Sequence, residues 1–127
     1  MAFGEAVLTD HVRTVIIFSK SYCPYSKKAK HILLDKYDIV PAPYVVELDM
    51  HNLGPGLQAA LHKMTGRRTV PNVLINGKSI GGGDDVQALD ESDSLATKIK
   101  EMGGKRVMEA AKKDLTLGGG SSVAGTA

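Results

Sequence analysis

Cys23 is the only cysteine of the chain, and it stands in SKSYCPYSKK, beside Pro24 and three residues ahead of Ser26. A thiolate is nucleophilic and a thiol scarcely so, which means that a working cysteine needs surroundings that stabilise negative charge. Pro24 suits the first turn of a helix, where its missing N–H costs nothing, and this places Cys23 at a helix start. Unpaired N–H groups there, the positive end of the helix dipole, and Lys20 and Lys27 nearby all favour the ionised sulfur. A thiol pKa below the free value is predicted. The bland alternative is an inert small hydrophobe, the common state of a lone cysteine, and the helix-start position argues against it. Ser26 lies one turn on, where a second cysteine could close a short-loop disulfide. With serine in that place, a mixed disulfide on Cys23 has to be resolved by an external thiol. The Ser26 hydroxyl can donate to the sulfur or be an ordinary first-turn serine, and both readings stand.

The elements that must position this motif follow from hydrophobic pattern. TVIIFS (Thr14 to Ser19) is a continuous β-branched and aromatic run, as expected of a central strand covered on both faces. Ala29, Ile32 and Leu33 give the helix after Cys23 an apolar face down to about Asp35. PYVVELD (Pro43 to Asp49) reads as a second strand, so strand, helix and strand imply a right-handed parallel crossover. Gly54, Pro55 and Gly56 precede a second amphipathic helix through Leu57, Ala60, Leu61 and Met64, ending near Gly66. NVLI, Asn76–Gly77 and KSI then predict an antiparallel hairpin with a type I′ turn. Asp84 to Met102 reads as two short helices broken near Ser92, with Val86, Leu89, Leu95 and Ile99 inward. At the ends, Phe3, Ala6, Val7 and Val12 suggest a short first helix, Lys105 to Leu117 a marginal helix, and GGGSSVAGTA a disordered tail. The order βα, βα, ββα is the plan of the thioredoxin fold: an α/β arrangement with a four-stranded mixed sheet flanked by helices.

The 127 residues, 43% of them apolar, suit one domain, read as residues 1–103 with an extension over 104–127. A net charge of +2 from 16 basic and 14 acidic residues is too weak a bias for a nucleic-acid surface. No apolar run approaches the ~18 residues of a membrane span, and Met1 to Asp10 lacks the pattern of a signal peptide. A soluble domain is expected. His11, His31, His51 and His62 show no ligand spacing with Cys23, and no metal is assigned to them.

SKSYCPYSKK, RRTVPNVLINGK and IGGGDDV together resemble the glutaredoxins, at matching spacing, from about Thr14 to Asp90. The resemblance implies glutathione as the partner and gives roles to matching positions. Lys20 and Gln58 would meet its glycine carboxylate, with Arg67 or Arg68 ranked below Lys20. Thr69, Val70 and Pro71 would form a turn with a cis Val70–Pro71 bond, leaving the Val70 N–H and C=O to pair with the extended tripeptide. Gly82 would let backbone approach the ligand. The start of the next helix would receive the γ-glutamyl carboxylate, and Asp84 or Asp85 its ammonium. A plain capping role for one of these aspartates is equally open. Tyr25 would border the pocket or contact a substrate protein.

The implied activity is a glutathione-dependent thiol-disulfide oxidoreductase, acting through a Cys23–glutathione mixed disulfide on glutathionylated proteins or small disulfides. Such an enzyme is expected to be a monomer. An alternative within the resemblance is a dimer that binds a 2Fe-2S cluster through Cys23 of two chains and two glutathiones; Pro24 tends to disfavour it. Another is a CPYC dithiol protein whose second cysteine was replaced by serine as a trap. The same strings are similar to fungal single-cysteine glutaredoxins of the early secretory pathway, which implies a lumenal setting with an anchor outside this chain; a cytoplasmic one is the alternative.

Overall fold

The structure is a computed structural model and describes residues 14–113. The helix expected around Phe3 to Val12, His11 and the GGGSSVAGTA tail lie outside the described residues. The elements are β1 (Val15–Ser19), α1 (Pro24–Lys30, continued by a wider π-helical turn over His31–Asp35), β2 (Tyr37–Val40) and β3 (Tyr44–Glu47). They are followed by α2 (Gly54–Thr65), β4 (Asn72–Ile75), β5 (Lys78–Gly81), α3 (Gly83–Glu91), α4 (Leu95–Gly103) and β6 (Glu109–Lys112).

The four-stranded sheet has the order β3-β1-β4-β5. β1 runs parallel to β3 and antiparallel to β4, and β4 runs antiparallel to β5. This is the expected thioredoxin fold. The unbroken apolar run of β1 has a simple cause: its side chains alternate between two buried faces. Val15 and Ile17 pack with Ala29, Leu33, Val86, Leu95 and Ile99 of α1, α3 and α4. Ile16 and Phe18 pack on the other side with Leu57 and Leu61 of α2. The β4–β5 turn has Asn76 and Gly77 at φ of 53° and 81°, the positive pair that a type I′ hairpin requires.

The C-terminal reading needs correction. Where a marginal helix was expected from Lys105, the chain makes a 3-10 turn over Gly104–Arg106 and then strand β6. β6 pairs antiparallel with β2, a strand too short to stand out in the sequence pattern, from Tyr37↔Lys112 to Val40↔Glu109. Ala110 is buried against the cluster that holds Tyr37 and Ile39, so long-range packing overrides the helix preference of EAAK. A polar tether reinforces the pair. Asp90, buried at the end of α3, accepts hydrogen bonds from Lys36 and from the Tyr37 hydroxyl at 2.8 Å, and lies 3.1 Å from Lys112 Nζ. Burial raises the Asp90 pKa, but these three donors outweigh it and hold the carboxyl down at about 2. Burial and the same carboxylate push the Tyr37 phenol up.

Candidate active site

β1 ends at Ser19 and hands the chain to a tight turn that closes with the Cys23 N–H donating to the Lys20 carbonyl at 3.0 Å. Cys23 is extended (φ −84°, ψ 123°), Pro24 opens α1, and the Lys27 N–H donates back to the Cys23 carbonyl. The thiol is therefore partly exposed at the helix start, as its neighbours in the sequence predict. The turn is pinned from the side: the Ser21 N–H and hydroxyl both donate to Asp49, just beyond β3.

Partial burial pushes the Cys23 thiol up, and four groups outweigh it to leave the pKa lowered. They are the Ser26 N–H, the Ser26 hydroxyl, the Tyr25 N–H and the charge of Lys20. Lys27 is exposed and is not among these groups. Ser26 is fully buried, and its oxygen accepts from the Lys20 N–H at 3.3 Å. That bond uses the serine oxygen as an acceptor and leaves its own proton available for a second partner. The lowered Cys23 thiol favours the donor reading of Ser26 over that of a plain first-turn serine. Beyond Lys20's influence on the Cys23 and Asp49 charges, its ammonium has no hydrogen-bonded partner among the described residues.

Next to this motif a groove of about 490 Å³ runs between the start of α1, the 67–71 segment and the start of α3. Tyr25, Thr69, Val70, Pro71, Asp84 and Asp85 line it, together with Arg67 and Gly83. Lys20, Gln58 and Gly82 stand outside that lining. The Val70–Pro71 bond is cis, and the Val70 N–H and C=O have no hydrogen-bond partner among the described residues. Gln58 reaches the same segment from α2 by donating to the Arg68 carbonyl at 2.9 Å. The glycines are packing requirements here. A β-carbon on Gly83 would sit 2.7 Å from the Tyr25 carbonyl oxygen, so its absence lets α3 approach the helix carrying Cys23.

The two aspartates divide their tasks. Asp85 accepts the Gly82 N–H at 2.9 Å, a capping role, and lies 3.8 Å from Arg67. Asp84 is exposed and pairs with Lys28 at 3.1 Å. Arg67, ranked low from the sequence, lies along the groove and donates to the Pro71 carbonyl at 3.4 Å. No local spacing in the sequence marks Lys28, because its partner is far away along the chain.

His31 pairs with Asp35, and the His51 ring accepts the Leu53 N–H. Among the described residues no three His, Cys, Asp or Glu side chains converge as a metal site, and no helix is long and apolar enough to cross a membrane.

A lowered thiol at the first helix of this sheet defines a thioredoxin-fold thiol protein. The family model for glutaredoxin matches residues 15–80, and the chain belongs to the glutaredoxin family. It is 50% identical over 103 residues to glutaredoxin-C4 of Arabidopsis thaliana, covering 81% of this chain and 73% of that protein. Over 87 residues it is 48% identical to monothiol glutaredoxin-7 of Saccharomyces cerevisiae, covering 68% of this chain and 43% of the yeast protein. Among solved structures, a buckwheat glutaredoxin–glutathione complex aligns with a TM-score of 0.64 at 36% identity, over 78% of this chain and 87% of that one.

Proposed function

We propose that this protein is a glutathione-dependent thiol-disulfide oxidoreductase that works through Cys23 alone. The observation that carries the reading is the pairing of a stabilised Cys23 sulfur with a buried Ser26 where a second thiol would stand. The buckwheat relative in complex with glutathione supports the partner, and the yeast relative named as monothiol supports the one-cysteine route.

In the first step the Cys23 thiolate attacks the glutathione sulfur of a glutathionylated protein or small disulfide. A Cys23–glutathione bond forms, the original disulfide breaks, and the other thiolate leaves and takes a proton. In the second step the thiolate of another glutathione attacks the glutathione sulfur held on Cys23. Oxidised glutathione leaves and the Cys23 thiolate returns. Ser26 has no thiol to compete for that bond.

Binding follows from charge and backbone. Lys20, with no competing hydrogen-bonded partner among the described residues, and Gln58 suit the glycine carboxylate. The Val70 N–H and C=O, unpartnered among the described residues, suit the extended tripeptide, with Thr69 and Tyr25 along its sides. The start of α3, shaped by Gly82 and Gly83, suits the γ-glutamyl carboxylate, and Asp84 and Asp85 its ammonium. The test is glutathione-dependent reduction of a glutathionyl mixed disulfide by the wild type and by Cys23→Ser. The variant is expected to be inactive, and turnover retained in it would refute the mechanism. Anaerobic reconstitution with iron, sulfide and glutathione is expected to leave a colourless monomer; a brown dimer would favour cluster binding instead.

A further inference from the structure

Lys28 lies on α1 behind the groove and does not line it, yet it holds two residues that do. Its ammonium is 3.1 Å from Asp84 Oδ1, 2.8 Å from Gln87 Oε1 and 5.3 Å from the centroid of the Tyr25 ring. Gln87 is itself oriented by a 3.0 Å bond to Glu91, so the lysine is seated against a fixed acceptor. Its side chain is 35% exposed, whereas Asp84 is 75% exposed. Neither Asp84 nor Tyr25 has another side-chain hydrogen bond among the described residues. Each would otherwise sample several rotamers in water, and ordering them on binding would cost affinity.

We propose that Lys28 is a positioning residue. By clamping the Tyr25 ring from α1 and the Asp84 carboxylate from α3, it presets two walls of the groove and sharpens selection for the γ-glutamyl end of a glutathionyl substrate. This rests on the glutathione reading above. Three features support a clamp over a surface ion pair: it joins two helices, it has a third fixed partner in Gln87, and its cation lies over an aromatic ring. Lys28 is not among the groups that lower the Cys23 thiol, so its effect should fall on binding and leave nucleophilicity alone.

The experiment is steady-state kinetics of Lys28→Met and Lys28→Arg on a glutathionyl substrate and on the matching cysteinylglycine disulfide, which lacks the γ-glutamyl group. The pH midpoint of Cys23 alkylation is measured beside it. Lys28→Met should raise KM for the glutathionyl substrate about fivefold, the scale of an ion pair plus a cation–π contact. It should leave kcat and the alkylation midpoint in place and lower the preference for the glutathionyl substrate by a similar factor. Lys28→Arg, which keeps charge and ring contact, should recover most of the loss. Asp84→Asn should also raise KM, and the double variant with Lys28→Met should lose less than the product of the two single effects. An unchanged KM in Lys28→Met beside an active wild type overturns the clamp alone, as do multiplicative effects in the double variant. Absence of glutathione-dependent turnover in the wild type overturns the clamp together with the reading beneath it.

Discussion

Replacing Asp90 with asparagine keeps the shape of the side chain and removes the charge that ties α3, β2 and β6 together. The carboxyl sits at about 2 in the folded protein against an ordinary 3.8, because Lys36, Tyr37 and Lys112 surround it and outweigh its burial. A carboxyl depressed by that margin contributes about 2 kcal/mol to folding. Asp90 is 4% exposed, so little of this is lost to solvent screening. The native state binds fewer protons than the unfolded chain in this range. The contribution is therefore complete above about pH 4, declines as pH falls toward about 2, and is gone below that. Urea unfolding of wild type and Asp90→Asn at pH 7, 4, 3 and 2 measures it. The variant should be about 2 kcal/mol less stable at pH 7, and the gap should close with acid as the wild type takes up its proton. Equal stability at pH 7, or a gap that does not narrow below pH 4, would refute the tether.

Ser26→Ala should move the pH midpoint of Cys23 alkylation upward, since it removes one of the donors that lower the thiol and leaves the Lys20 N–H without its acceptor. An unmoved midpoint would take the serine out of the account. Gly83→Ala should destabilise the protein by about 1–3 kcal/mol in urea unfolding, because the new methyl meets Tyr25 backbone that cannot swing aside. Gly82→Ala should cost less: its closest neighbour is the end of the Arg67 side chain, and only the Pro71 carbonyl, at 3.0 Å, resists. The reverse order would contradict the packing described.

Much of the frame was legible because the sequence agrees with itself at several levels. The buried run at Val15 to Ser19, the Pro24 helix start, the Asn76–Gly77 turn and the break near Ser92 each reappear in place. The β2–β6 pair was not legible. YDIV is short and Glu109–Lys112 is built of good helix formers, so only the distant partner and the Asp90 tether make them strands. The site divides the same way. Cys23, Ser26, the 69–71 turn and the acidic start of α3 are local motifs whose chemistry can be read from neighbours. The choice of Asp85 as cap and Asp84 as the Lys28 partner depends on which helices meet.

The most direct test of the central claim is the fate of Cys23 after one turnover. The reduced protein is mixed with the disulfide of cysteine and glutathione, quenched in acid and weighed intact; a second portion receives excess glutathione before the quench. Cys23 should carry glutathione, with cysteine released, and added glutathione should restore the free thiol while one equivalent of oxidised glutathione appears. A Cys23 that carries cysteine instead, or an adduct that glutathione cannot remove, would contradict the account.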